Sequence, residues 1–175
     1  SPPSSPPPTT YTEPFDSLHP QRFEAVLVSA GFGFTCSVDS AGLLRCFGDN
    51  RKGQAGMGSG ADFVAISEAA VDLGAAVAGS GTPTGGLPIP HRVRLVTAGH
   101  AHACAITCVG ELKCWGANFA GQLGYGDARD RGRDPGTMGD ALPAVDLGPP
   151  AAPHDYWERP QVVTASAGGG ARSPL

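Results

Sequence analysis

The sequence predicts an all-β fold built from two repeated antiparallel sheet units, and three observations carry that reading. The stretch Val28 to Gly58 aligns without a gap on Val96 to Gly126 at an offset of 68 residues. The copies are identical at Ala30/Ala98, Gly31/Gly99, Cys36/Cys104, Cys46/Cys114, Gly48/Gly116, Asn50/Asn118, Gly53/Gly121, Gln54/Gln122, Gly56/Gly124 and Gly58/Gly126. Self-similarity at a fixed period marks a repeat architecture. Within each copy, short β-branched and apolar runs are punctuated by glycine-centred turns, which is the pattern of strands and hairpins. The 26 glycines and 17 prolines would suit a low-complexity chain, but the glycines recur at matched places and are therefore assigned to turns.

Composition removes several classes of function. Charged residues are 16% of the chain and the net charge is −4, so no basic footprint for nucleic acid or an anionic membrane exists. No apolar run approaches the roughly 18 residues of a membrane-spanning helix. The sequence opens at Ser1 without an apolar leader, and any secretion signal is expected to have been removed or to lie outside this stretch.

Taken in order, Ser1 to Thr10 holds five prolines and nothing that could join a core, which predicts an extended polyproline arm. Its Ser1, Pro2, Pro3, Ser4, Ser5, Pro6, Pro7 and Pro8 resemble the hydroxyproline-rich, O-glycosylated segments of algal and plant surface proteins, and a plain solvated linker is the alternative. Residues 1–21 form the arm, 22–92 the first repeat with its spacer, 93–156 the second, and 157–175 an unfinished third repeat and tail. Arg22 to Ala30 reads as an opening strand. Phe34 to Val38 and Leu43 to Gly48 read as a hairpin around Ser40-Ala41-Gly42. With Gly42 taking positive φ, that three-residue loop sets Asp39 against Leu43, and hence Cys36 against Cys46. The loop Cys108-Val109-Gly110 does the same for Cys104 and Cys114. The Ala-Val-Asp-Leu-Gly runs ending at Gly74 and Gly148 are expected to be equivalent outer or edge elements, and Gly79 to Pro90 a surface loop. Gly126 to Asp140 reads as a long, salt-bridged, solvated loop. A calcium site on Asp127, Asp130, Asp134 and Asp140 is the alternative, and it is opposed by Arg129, Arg131 and Arg133. Pro160 to Gly168 copies the opening strand once more.

The run Gly99, His102, Cys104, Ala105, then Trp115, Gly116, Asn118, Gly121, Gln122, Leu123, Gly124 and Gly126, resembles the regulator-of-chromosome-condensation repeat, the unit of one class of β-propeller. The first copy departs from it with Phe34 for His, Phe47 for Trp and Ala55 for Leu. The spacer from Gly126 to Gly148 also resembles that of the secreted, cysteine-bearing members. The resemblance implies propeller blades, and two blades make an incomplete propeller with long loops. It further implies that Phe47 and Trp115 fill the space between adjacent blades, while the Gly31/Gly99, Gly48/Gly116 and Gln54/Gln122 positions shape tight turns.

The five cysteines divide into two predicted disulfides, Cys36 to Cys46 and Cys104 to Cys114, and a remaining Cys108. Cys108 is read as a free thiol, a bridge to another chain, or half of a pair outside this stretch. Two disulfides imply an oxidising, extracellular compartment. The cysteine spacings do not form a pair of zinc knuckles. His100 and His102, read as two apart on one strand, align with Phe32 and Phe34 and are assigned to packing. Tyr156 and Trp157 are left between core packing and an interface anchor. No catalytic, cofactor or metal motif is recognised, so neither an enzyme nor a cofactor is expected. The expected function is a non-enzymatic extracellular structural or assembly module that meets other copies of itself or other extracellular proteins through exposed blade edges. A protein-binding or nucleotide-exchange module, and a glycan- or ligand-binding module, are the alternatives.

Overall fold

The computed structural model describes residues 25–66, 69–76, 89–148 and 165–168. The polyproline arm, Tyr156 and Trp157, and the start of the predicted third strand lie outside the described residues. Each repeat is an antiparallel sheet. In the first, β1 (Ala25–Ala30), β2 (Phe34–Asp39), β3 (Leu44–Asp49) and β4 (Phe63–Val64) lie in sequence order. A two-stranded ribbon, β5 (Ala75–Ala76) with β6 (Ile89–Pro90), follows it. The second sheet is β7 (Val93–Ala98), β8 (His102–Thr107) and β9 (Leu112–Gly116). An isolated bridge from Gly116 to Arg131 takes the place that β4 has in the first.

Turn chemistry sets the register. Asp39 and Gly42 close the first hairpin through Gly42 N–H to Asp39 O at 2.9 Å, and Asp39 N–H returns to Leu43 O at 3.1 Å. Gly42 takes φ 80° and Gly110 takes φ 86°, a region closed to most side chains. The ladders then place Cys36 opposite Cys46 and Cys104 opposite Cys114. Both pairs are bonded, with S–S distances of 2.06 and 2.16 Å. A cross-link over so short a loop contributes about 2 to 3 kcal/mol by restricting the unfolded chain.

The core is shared by the two repeats. Phe34, Val38, Leu44, Val71, Leu73, Val93, Val96, Trp115 and Leu142 belong to one buried cluster. Trp115 is fully buried, and its indole Nε1 donates to Gln54 O of the first repeat at 3.0 Å. Lys113 is buried beside it, its ammonium donating to Leu73 O at 2.7 Å and Leu142 O at 3.0 Å, so it ties the two spacers together. In the first copy the same position is Arg45, which pairs instead with Asp39 at 2.6 Å.

Several sequence expectations are corrected. The two Ala-Val-Asp-Leu-Gly runs are equivalent but do not extend the ladders. Val71 N–H reaches Leu44 O and Val145 N–H reaches Leu112 O, both at 2.7 Å. The next residue, Asp72 or Asp146, then accepts from the glycine two places on at 2.8 Å, and this Asx-turn bends the chain away. Ile89–Pro90 is a strand and not part of a loop, whereas 77–88 lie outside the described residues. The stretch from Gly126 to Asp140 is not merely solvated. It packs on the first repeat, with Gly58 N–H donating to Gly132 O at 2.8 Å and Gly60 N–H to Arg133 O at 2.7 Å, and Arg133 pairs with Asp62. It also holds a 3-10 turn at Gly139–Ala141.

Truncating the shared indole should expose how far the repeats depend on each other. Trp115→Ala is expected to cost about 3 to 5 kcal/mol in urea unfolding. Trp115→Phe, which keeps a smaller ring and leaves Gln54 O without its donor, is expected to cost less, about 2 to 3 kcal/mol. Equal losses in the two variants would show that the bond, and not the packed ring, joins the repeats.

Candidate interaction surfaces

The contact between the repeats is built from small, repeated parts. Asn50 Oδ1 accepts from Ala55 N–H at 3.0 Å, and Asn118 Oδ1 accepts from Leu123 N–H at 2.9 Å. Each asparagine thus closes the Gly-Gln-x-Gly corner that follows it. Gln54 Oε1 accepts from Lys52 N–H, and Gln122 Oε1 from Ala120 N–H, both at 2.9 Å. With the glutamine side chain folded into its own turn, the Gln54 carbonyl is left to accept from Trp115. Gly56 must be glycine there, because a Cβ would lie 2.8 Å from the indole nitrogen. Sequence reasoning matched these asparagines without assigning them a role; their identity in both copies was the signal.

At the inner strands, Ala98 N–H donates to Ser29 Oγ at 2.9 Å, and Ala167 N–H donates to Thr97 Oγ1 at 2.9 Å. Gly31 lies against Gly99 O, and Gly99 against Gly168 O, so close that a Cβ would come within 2.4 and 2.8 Å respectively. Gly48 and Gly116 are similarly confined against Gly33 O and Ala101 O. Residues 165–168 therefore stand to β7 as β7 stands to β1.

The outer surfaces of the pair are unlike. Val96 is 6% exposed, because the first repeat covers it, but its counterpart Val28 is 64% exposed. Leu73 is 2% exposed against 61% for Leu147. Phe47 is half-buried where Trp115 is fully enclosed. Gln54 and Gly56 are buried, whereas Gln122 is half-buried and Gly124 exposed. The pair thus leaves uncovered one copy of each half of its own internal contact.

His100 is not on a strand, as the sequence suggested, but in the turn before β8, where its ring stacks on Phe32 with centroids 4.8 Å apart. A shallow groove beside the stack is lined by Asp49, Arg51, Lys52 and Gln54. Arg51 bonds both oxygens of Asp49 and holds that carboxyl down at about 2. Arg131 and the Arg129 N–H likewise hold Asp127 at about 2, while Arg131 lies 4.2 Å over the Tyr125 ring. Asp130 accepts from Asn118 N–H, and Asp140 from Ala75 N–H. Asp127, Asp130 and Asp140 are thus engaged in separate contacts, and no group of three metal-ligating side chains occurs among the described residues. Cys108 is exposed at the tip of the second hairpin, with its N–H bonded to Arg92 O at 2.7 Å. No described helix is long and apolar enough to cross a membrane.

These features define a protein of paired, disulfide-stapled blade units. The family model for the regulator of chromosome condensation (RCC1) repeat matches residues 25–54 and 93–122, one match on each repeat. The ultraviolet-B receptor UVR8 of Arabidopsis thaliana is 28% identical over 118 residues, which are 67% of this chain and 23% of the receptor. The probable E3 ubiquitin-protein ligase HERC4 of Homo sapiens is 30% identical over 108 residues, 62% of this chain and 9% of the ligase. The chain spans less than a quarter of the length of either relative. Among solved structures, yeast RCC1 (Prp20) matches at TM-score 0.46 and 14% identity, covering 73% of this chain and 26% of that one. Human WBSCR16 matches at 0.48 and 21%, covering 66% and 27%.

Burial lowers the pKa of His102, with His100 adding to the shift, and burial with the Lys113 charge lowers that of His91. A folded pKa below the unfolded value means that the unfolded chain binds more protons, so stability falls as pH drops through the unfolded value of about 6.5 toward the folded one. The urea midpoint is expected to decrease between neutral pH and about pH 5. His102→Phe, which installs the Phe34 of the first copy, should flatten that decrease; an unchanged pH profile would show that His102 does not titrate with unfolding.

Proposed function

We propose that this chain is a non-catalytic assembly module of an extracellular structure, contributing blades to a surface matrix, wall or filament. The observation that carries the reading is the disulfide at the same register of both repeats, Cys36 to Cys46 and Cys104 to Cys114. Such cross-links persist in oxidising compartments and are rare where thiols are kept reduced. The uncovered β1 edge and the partly open corner at Gln122 and Gly124 support a role in joining to other proteins, because unpaired strand edges and apolar patches seek partners. Under this reading the Ser1 to Pro8 arm carries O-linked glycans and hydroxylated prolines, and the partners are further copies or other extracellular proteins.

The RCC1-repeat match favours a second reading, a protein-binding module of the exchange-factor type. The relatives, by name a photoreceptor and a probable ubiquitin ligase, have different roles, so the repeat alone does not choose a partner. Accelerated release of labelled nucleotide from a small GTPase would select the second reading.

Thiol counting on protein isolated from its source without reductant tests the first. Four cysteines are expected to resist alkylation until the protein is reduced, with Cys108 alone reactive or already bridged. Alkylation of all five before reduction would remove the extracellular reading.

A further inference from the structure

The inner strands follow a rule. Each takes, at one alanine N–H, a hydroxyl from the strand before it: Ala98 from Ser29, then Ala167 from Thr97. Ala30 occupies the same register in β1. Gly31 N–H crosses the sheet to Phe34 O at 2.9 Å, so the Ala30 N–H, next in the antiparallel alternation, faces away from β2. Among the described residues no hydroxyl precedes it, and Val26 and Val28 on the same strand are exposed.

The segment at residues 165–168 ends in Ser166-Ala167-Gly168, and β1 runs into Ser29-Ala30-Gly31, the same three residues. That segment meets β7 through one bond to Thr97 and a close contact at Gly99. It brings no aromatic to the corner outside it, where Gln122, Gly124 and Val145 repeat the Gln54, Gly56 and Val71 that receive Trp115.

We propose that the place beside β7 held by residues 165–168 also receives β1 of a second copy, so that chains join head to tail as that strand replaces the segment. The inference rests on the assembly reading above and names its partner. In the joint, Ala30 N–H of the incoming copy donates to Thr97 Oγ1. Its Phe47 meets the Gln122 corner as Trp115 meets Gln54, and Leu147 becomes covered as Leu73 is. The incoming strand arrives with β2 and β3 paired beside it. The two surfaces of the joint are different, so each added copy still presents a free end, and association continues beyond a dimer.

The test is sedimentation velocity of the full chain over a wide concentration range. Ala167→Pro removes the N–H that the internal segment gives to Thr97 and leaves β1 intact. It is expected to raise the average mass and give a ladder of dimers, trimers and larger species. Adding Ala30→Pro, an outward-facing edge position where proline is tolerated, or Val28→Asp, should return the protein to monomer. A monomeric Ala167→Pro variant, a product that stops at dimer, or oligomers that survive both edge changes would each overturn the proposal. Alkylation of the same samples separates the failures: a monomer with four shielded cysteines defeats the head-to-tail joint alone, whereas four reactive cysteines defeat the extracellular reading.

Discussion

The repeat pair depends on one carbonyl. Gln54 O accepts the Trp115 indole N–H from the neighbouring repeat at 3.0 Å. Asn50 closes the turn, and the Gln54 side chain folds back on Lys52 N–H. A buried carbonyl without a donor would cost the pair more than the bond contributes, so the indole nitrogen and the corner specify each other. The exclusion of side chains at Gly56 follows from the same contact, as does the burial of Val71 beneath the ring.

This dependence explains why the core is continuous across two units that look independent in the sequence. Neither sheet has enough apolar surface to enclose itself: β1 alone is largely exposed, and the first sheet is covered chiefly on the side facing the second repeat. Lys113 strengthens the tie by placing a desolvated ammonium between two spacer carbonyls, an arrangement that lowers its pKa through burial. The disulfides act differently, restricting the unfolded chain within each hairpin, and so they stabilise the sheets without joining them.

The sheets and the cross-strand cysteine register were legible in the sequence because turn geometry is local. A three-residue loop ending in glycine leaves one pairing open to the strands beside it. What the sequence did not show was set by contacts far apart in the chain. The loop after Gly126 reads as solvated because its residues are polar, yet its backbone is bonded to Gly58 and Gly60, more than 70 residues earlier. Lys113 reads as a conservative partner of Arg45, but Thr107 stands where Asp39 would have paired with it, and the ammonium turns inward. The spacer runs read as outer or edge elements because they recur. A single aspartate in each, bonding its own chain two residues on, ends the ladder after one bond.

The differences between the copies give the pair a direction. Trp115 can donate to a neighbour's carbonyl and Phe47 cannot, so the first repeat offers the weaker form of the interlocking aromatic. The second repeat offers an open form of the corner that receives it, with Gln122, Gly124 and Leu147 uncovered. A surface of this kind is not self-complementary: what lies uncovered at one end matches what lies uncovered at the other. Under the head-to-tail proposal a two-fold pairing does not satisfy both surfaces at once, whereas ring closure or open growth does. The hydroxyl-to-amide contacts at Ser29 and Thr97 set the spacing at which either would proceed, since they fix one inner strand on the next at an interval the chain has already used twice.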